Sequence, residues 1–228
     1  MNTPKTKKNF PVIKFVQPSA SLLRELAPIT PLTDCPQISV HQAPDVFALW
    51  QAWENESKTV CDVPYWAIVW PAAQVLARYI FENPKIVKGK TVLDCGCGGG
   101  AAAISAAMNG AEYVAGCDLD ETAVLIAKIN ATVNTVSVDF FCKDIIESIT
   151  AHSYDVILVA DMFYQKDFSS ELMKVLKNAQ VNGSDVIIAD SGRPFLPKDE
   201  LIEIYYREAK TSFDVEGCCE RTVRLYTF

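Results

Sequence analysis

Residues 92–101 read VLDCGCGGGA, an apolar run that ends on an acid and breaks into glycine. A buried strand that turns sharply into a helix has this form. Downstream the same alternation repeats. TVLDC (91–95) reads as a strand and GAAAISAAMNG (100–110) as a helix of small residues. EYVAGCD (112–118) reads as a strand and ETAVLIAKINATV (121–133) as a helix. VDFFC (138–142), YDVILVAD (154–161) and SDVIIAD (184–190) follow as strands, with a helix near 168–180 before the last of them. KDELIEIYYREAK (198–210) is expected to be helical, and SFDVEGC with TVRLYTF to close the chain as a β-hairpin. Upstream, PAAQVLARYIFEN begins on Pro71, suited to a first helical turn, and stops before Pro84. Five strands alternating with helices, then a hairpin, imply an α/β, Rossmann-like fold. Its sheet is seven-stranded and mostly parallel, with a C-terminal antiparallel hairpin and helices on both faces.

The whole chain fits one such unit. Its 228 residues are 50% hydrophobic and 21% charged, the balance of a globular domain. Residues 1–60 are proline-rich and weakly periodic, an arm with one short helix in DVFALWQAWENES (45–57), and residues 61–228 form the domain itself. A net charge of −7 argues against a nucleic-acid partner held by a broad basic surface. No apolar run reaches the length of a membrane span. The basic start MNTPKTKKNFPVIKF lacks a signal-peptide core, so a flexible tail on a cytoplasmic protein is expected. The eight cysteines form no C-x-x-C pair, and several sit in strand-like runs, as reduced buried thiols do. With only His41 and His152 as imidazoles, no metal site is expected.

Two ligand classes use a loop like residues 94–101. Gly96, Gly98 and Ala101 meet the G-x-G-x-x-G/A spacing of a dinucleotide site. Asp94, Gly96, Gly98 and Gly100 meet the D-x-G-x-G-x-G pattern of an S-adenosylmethionine (SAM) site. Charge separates the two. A dinucleotide places a pyrophosphate at the helix N-terminus, where a carboxylate two residues before the first glycine would repel it. SAM has no phosphate, and its methionine end carries an ammonium that Asp94 can hold. Further acids stand at or just past strand ends: Asp118, Asp144, Asp161 and Asp190. Ligands of open α/β sheets bind at that rim. Asp118, about 20 residues after the first glycine, suits ribose hydroxyls in either ligand class. Asp144 suits the adenine amine, with a solvated loop acid as the equal alternative.

PYWAIVWP (64–71) supplies Tyr65, Trp66 and Trp70, and DMFY (161–164) supplies Asp161, Phe163 and Tyr164 at the end of the fourth strand. One or two of these aromatics serve as core. A carboxylate can steer an amine nucleophile, and aromatic faces can hold a cationic amine or sulfonium. Asp161 and Tyr164 are therefore the candidate catalytic pair. Trp66 and Phe163 are expected at the substrate and Trp70 at the cofactor. Arg193, in ADSGRPFLP (189–197), suits an acidic substrate group or a local carboxylate equally. There is no nucleophile elbow and no Ser/His/Asp set.

At these residues VLDCGCGGG resembles motif I of the class I SAM-dependent methyltransferases. PYWAIVWPAAQVLARYI, DMFY and DSGRPF together resemble a narrower family, the seven-β-strand protein lysine methyltransferases. Within it the likeness is greatest to the group that modifies the electron transfer flavoprotein beta subunit, with its bacterial homologues. Asp161 and Tyr164 match that group's D-x-x-Y pattern. The CGCGGG loop is richer in glycine than the group's usual form, and the last third matches mainly at the GRP segment. The resemblance implies SAM as methyl donor, S-adenosylhomocysteine as product, and a partner protein bearing the acceptor lysine. The beta subunit and ribosomal proteins are the candidate acceptors. A SAM-dependent methyltransferase of a small-molecule amine is the first alternative. An NAD-linked oxidoreductase and a non-catalytic SAM-binding protein are more distant ones.

Overall fold

The computed structural model describes residues 16–228; the basic stretch before Val16, read as a flexible tail, lies outside them. The described chain runs α1 (Ala20–Leu26), β1 (Ile29–Pro31), β2 (Ser39–His41), α2 (Val46–Ser57), α3 (Pro71–Glu82), β3 (Thr91–Cys95), α4 (Ala101–Met108), β4 (Tyr113–Asp118), α5 (Glu121–Val133) and β5 (Asp139–Cys142). It continues with α6 (Ile145–Ala151), β6 (Val156–Ala160), α7 (Lys166–Val181), β7 (Asp185–Asp190), β8 (Ile202–Lys210), α8 (Phe213–Glu216) and β9 (Glu220–Thr227). Seven strands form one sheet in the order β5-β4-β3-β6-β7-β9-β8. β5, β4, β3, β6 and β7 are parallel, and β9 runs antiparallel to both β7 and β8.

The central strands are apolar on both faces, as a parallel sheet covered by helices requires. Their side chains alternate between two cores. Val92, Val114, Val156, Leu158 and Ala189 face α3, α4 and α5. Leu93, Cys95, Ala115, Cys117, Ile157, Val159 and Ile188 face α6 and α7. Local chemistry sets the helix starts. Pro71 occupies the first turn of α3. The side chains of Asp45, Asp120 and Asp144 accept from the first N–H groups of α2, α5 and α6. α7 buries Ser169, Leu172, Met173 and Leu176, a stripe at helical spacing.

Two expectations fail in the last third. Residues 202–210 form strand β8, not a helix. The Arg-Glu-Ala-Lys end has helical propensity, but Ile202, Ile204 and Tyr206 alternate with Glu203, Tyr205 and Arg207. Pairing with β9 from Ile202↔Thr227 to Lys210↔Glu220 decides the outcome. The expected strand in SFDVEGC is instead the short helix α8, ended by Gly217 in the left-handed region at φ 68°. The closing hairpin is therefore β8–β9, with α8 in its turn.

Residues 20–60 pack against the sheet domain through α5. His41 N donates to Asn130 Oδ1 at 2.8 Å, and Ser39 N to Asn134 Oδ1 at 3.0 Å. Leu23, Ala27 and Leu49 share a core with Trp66, Ala123 and Ile126.

Candidate active site

Strand order reverses between β3 and β6, both of which pair with their outer neighbours in parallel. At such a switch point the loops leave in opposite directions and open a crevice beyond the strand ends. Here the glycine loop leaves β3 and the DMFY segment leaves β6. The two meet: a Cβ on Gly96 would lie 2.6 Å from Met162 Sδ.

The glycine loop is held from beneath. Gly96 N and Cys97 N donate to Cys117 O, and Gly98 N donates to Asp118 Oδ2 at 2.9 Å. Asn130, fully buried, donates from Nδ2 to Gly99 O at 2.8 Å while its Oδ1 holds His41 N. Gly96 and Gly98 adopt φ of 68° and 49°, which suits glycine. A Cβ on Gly98 would meet no atom within 4 Å, so the loop presents bare backbone to open space. Burial pushes the Cys95 and Cys97 thiols well above their usual range, which keeps them protonated.

Asp94 lies at the end of β3, 2% exposed, where its Oδ2 accepts from Ala103 N in the first turn of α4 at 3.0 Å. Burial pushes its pKa up to about 7; the Ala103 N–H pulls it down and the Asp118 charge pushes it up. A buried carboxyl held this close to neutrality is stabilised as an anion by any cation brought beside it. Asp118 uses Oδ2 for Gly98 N and Oδ1 for Asp120 N, and a carboxylate has lone pairs left for further donors. Asp144 uses Oδ1 to cap α6.

Asp161 is the hub of the opposite wall. Its backbone is left-handed at φ 55°, a conformation Asp tolerates better than most residues. Its Oδ1 accepts from Ser191 N, Ser191 Oγ and Arg193 Nε at 2.9, 2.7 and 3.0 Å, and its Oδ2 from Ala72 N at 3.3 Å. Arg193 also binds Glu216 Oε1 at 2.6 Å and places its guanidinium 5.2 Å from the centre of the Trp70 ring. Between an acidic substrate group and a local carboxylate, Arg193 takes the latter, twice over.

The aromatics divide between core and rim. Trp66 and Phe163, expected at the substrate, are instead fully buried: Trp66 packs edge-on against Trp53 at 6.4 Å, and Phe163 lies in the core below α7. Their strand-like and turn neighbours carry them inward, where large apolar rings gain most. Tyr164 is exposed, half-buried Trp70 sits at the start of α3, and exposed Tyr65 lies 6.0 Å from Trp70 between ring centres. The phenol of Tyr164 is raised by partial burial, then by the charge of Asp118 and by Tyr65, and so stays neutral. Tyr65, named among the aromatics of 64–71 but given no role there, and Glu216 join the candidate site. Tyr65 carried only the signal of an aromatic beside two tryptophans, whereas Glu216 had no signal, because its segment read as a strand. Among the described residues no group of three or more His, Cys, Asp or Glu side chains is placed to hold a metal. No described helix is long and apolar enough to cross a membrane.

The model of the ribosomal protein L11 methyltransferase (PrmA) family matches residues 75–190, the stretch from α3 through β7. The electron transfer flavoprotein beta subunit lysine methyltransferase of Mus musculus is 38% identical over 144 residues, 62% of this chain and 56% of that protein. The chain thus spans little more than half the length of that relative. A homolog of that enzyme from Caenorhabditis elegans is 31% identical over 209 residues, 84% of this chain and 82% of its own. Among solved structures, the tRNA uracil methyltransferase of Pyrococcus abyssi, in complex with S-adenosyl-L-homocysteine, superposes with a TM-score of 0.52 at 18% identity. That superposition covers 68% of this chain and 37% of the other, and it extends the likeness to fold alone.

Proposed function

We infer, since the chain belongs to the class I, seven-β-strand methyltransferases of the ribosomal protein L11 methyltransferase family, that it is a SAM-dependent protein N-methyltransferase acting on lysine. The observation that carries this reading is Asp94. A buried carboxyl with a pKa near 7 beside bare loop backbone fits a ligand that brings a cation to one and a carboxylate to the other. A pyrophosphate brings no cation to the carboxyl and would be repelled by its charge.

SAM, when bound, supplies an electrophilic methyl group on a sulfonium. The chain's own residues hold and orient. Asp94 takes the ammonium; with the N–H groups of Gly96, Cys97 and Gly98 spent on Cys117 O and Asp118, the carboxylate falls to the Gly99 N–H next along the loop. Asp118 accepts from the ribose hydroxyls while continuing to brace Gly98. The free oxygen of Asp144 accepts from the adenine amine, and Trp70 closes the side of the site. Tyr164 and Tyr65 line the approach of the acceptor amine, where their hydroxyl oxygens can accept hydrogen bonds from its N–H groups. Asp161 acts on this approach through the hydrogen bonds that fix Ala72, Ser191 and Arg193. Positioning of this kind is what a displacement at a methyl carbon requires.

Residues 16–60 serve as a cover that presses the 64–71 segment onto the glycine loop, with the catalytic unit beginning near residue 61. The relatives' substrate makes the electron transfer flavoprotein beta subunit the first candidate acceptor, with ribosomal proteins next, and the setting is cytoplasmic. Calorimetry with SAM, S-adenosylhomocysteine and NAD tests the cofactor: the first two bind and NAD does not. Binding of NAD without SAM overturns the reading. Purified beta subunit incubated with enzyme and SAM then gains methyl groups on lysine, read by peptide mass spectrometry.

A further inference from the structure

The β8–β9 hairpin does not stop at the rim. β9 leaves β7 at Asp190↔Arg224, yet β9 begins at Glu220 and stays paired with β8 from Arg207↔Val223 to Lys210↔Glu220. Four residues of β9 therefore overhang the strand ends where the candidate site lies, roughly 13 Å at the rise of an antiparallel strand. The turn then folds back. Glu216, with a side chain only 2% exposed, binds Arg193 through both its oxygens at 2.6 and 3.4 Å and binds Arg221 as well. Arg193 in turn touches Asp161 and Trp70. Gly217 ends α8 in the left-handed region, so Glu216 points in while Phe213 and Asp214 stay out.

Phe213, on this tip, is 65% exposed. Three other exposed aromatics stand at the same edge of the sheet on separate segments: Tyr65 before α3, Tyr164 after β6 and Phe195 after β7. Phe195 N donates to Phe163 O, which ties its loop to the DMFY segment. Asp214 and Glu220, on the same overhanging tip, are exposed as well.

We propose that the overhanging tip of the hairpin, residues 211–220, selects the acceptor. It takes an extended segment of a partner protein that carries the target lysine, with an apolar flank against Phe213 and basic flanks toward Asp214 and Glu220. Glu216 is the positioning residue that latches this tip to Arg193. The proposal rests on the protein-lysine reading given above and adds the element that reads the acceptor.

The test uses the full-length enzyme, methyl-tritiated SAM and a whole-cell protein extract, with label in protein followed against extract concentration. Phe213→Ser removes an exposed ring and leaves the fold intact. It raises the half-saturating extract concentration about tenfold, with maximal rate and SAM affinity within about twofold of wild type. Glu216→Gln moves half-saturation in the same direction. Unchanged half-saturation in Phe213→Ser overturns the proposal while leaving the methyltransferase reading in place. A wild-type enzyme that labels only small solutes overturns both.

Discussion

Asp94 separates the two ligand classes that its glycines leave open. Its raised pKa gives the cofactor site a pH dependence of definite sign. The free protein holds Asp94 largely protonated below pH 7, since burial raises its pKa to about 7. A ligand ammonium binds the ionised form, so proton loss accompanies binding and affinity for SAM rises with pH. The gain is up to about tenfold per pH unit below 7, and it levels off before the α-amino group itself titrates near 8. Calorimetry between pH 5.5 and 7.5 checks this, and Asp94→Asn flattens the profile as it weakens binding. In the free protein the same shift runs the other way for stability. The native state binds the extra proton between about pH 4 and pH 7, so Asp94's contribution falls as pH rises through that window. Gly98 makes a second residue-scale case. Gly98→Ala places a Cβ in open space but in a left-handed backbone, costing about 1–2 kcal/mol of stability. It weakens SAM binding at least tenfold, because the methyl group occupies the face the ligand needs. Thermal unfolding and calorimetry separate the two effects. Asp94 and the loop glycines were legible because charge and spacing are local. The burial of Trp66 and Phe163 was not, since which side of a turn an aromatic takes depends on what packs against it.

Elements that bury a continuous apolar run declared themselves. β3, β4, β6 and β7 lie within two residues of where their hydrophobic runs put them, as do α3 and α5. β8 misled because its charged end favours a helix, while the partner that makes it a strand lies across a turn. α8 misled because a four-residue helix has no period to read. The β1–β2 hairpin and α1 were invisible for the same reason: each is short, and each gains its stability from α5 and α2 rather than from its own pattern. Asn130 on α5 joins the β1–β2 hairpin to the glycine loop, holding Gly99 O with one end and His41 N with the other. Asn130→Ala leaves both groups buried without partners, at about 3 kcal/mol in total. For a chain of this size that lowers Tm by roughly 6–12 °C. Restored stability in the presence of saturating SAM is expected as well, because the ligand binds the same loop. Differential scanning calorimetry with and without SAM measures both.

At the scale of the molecule the site is made by topology. The reversal of strand order between β3 and β6 sets the glycine loop beside the DMFY segment, and the returning hairpin adds Glu216 to a wall that begins at Asp161. That wall crosses the sheet: Asp161 just after β6, Arg193 after β7, Glu216 and Arg221 on the hairpin, Ala72 on α3. Asp161→Ala strips Arg193 of one of its two carboxylates and Ser191 and Ala72 of their acceptor. We expect a loss of about 3 kcal/mol and methyl transfer reduced at least a hundredfold, with SAM still bound. Asp161→Asn, which tolerates the same backbone, recovers part of the stability and little of the rate. The parallel pairing of β3 to β7 was legible because strands alternating with helices close as βαβ units; the order of the strands and the ionic wall were not, because their members lie far apart in the chain. The central claim, transfer of a methyl group from SAM to a protein lysine, is tested most directly by peptide mass spectrometry of a whole-cell protein extract incubated with the enzyme and isotope-labelled SAM. Label is expected on lysine side chains of one or a few proteins, and absent with Asp161→Ala. Label confined to small solutes, or to residues other than lysine, would contradict that claim.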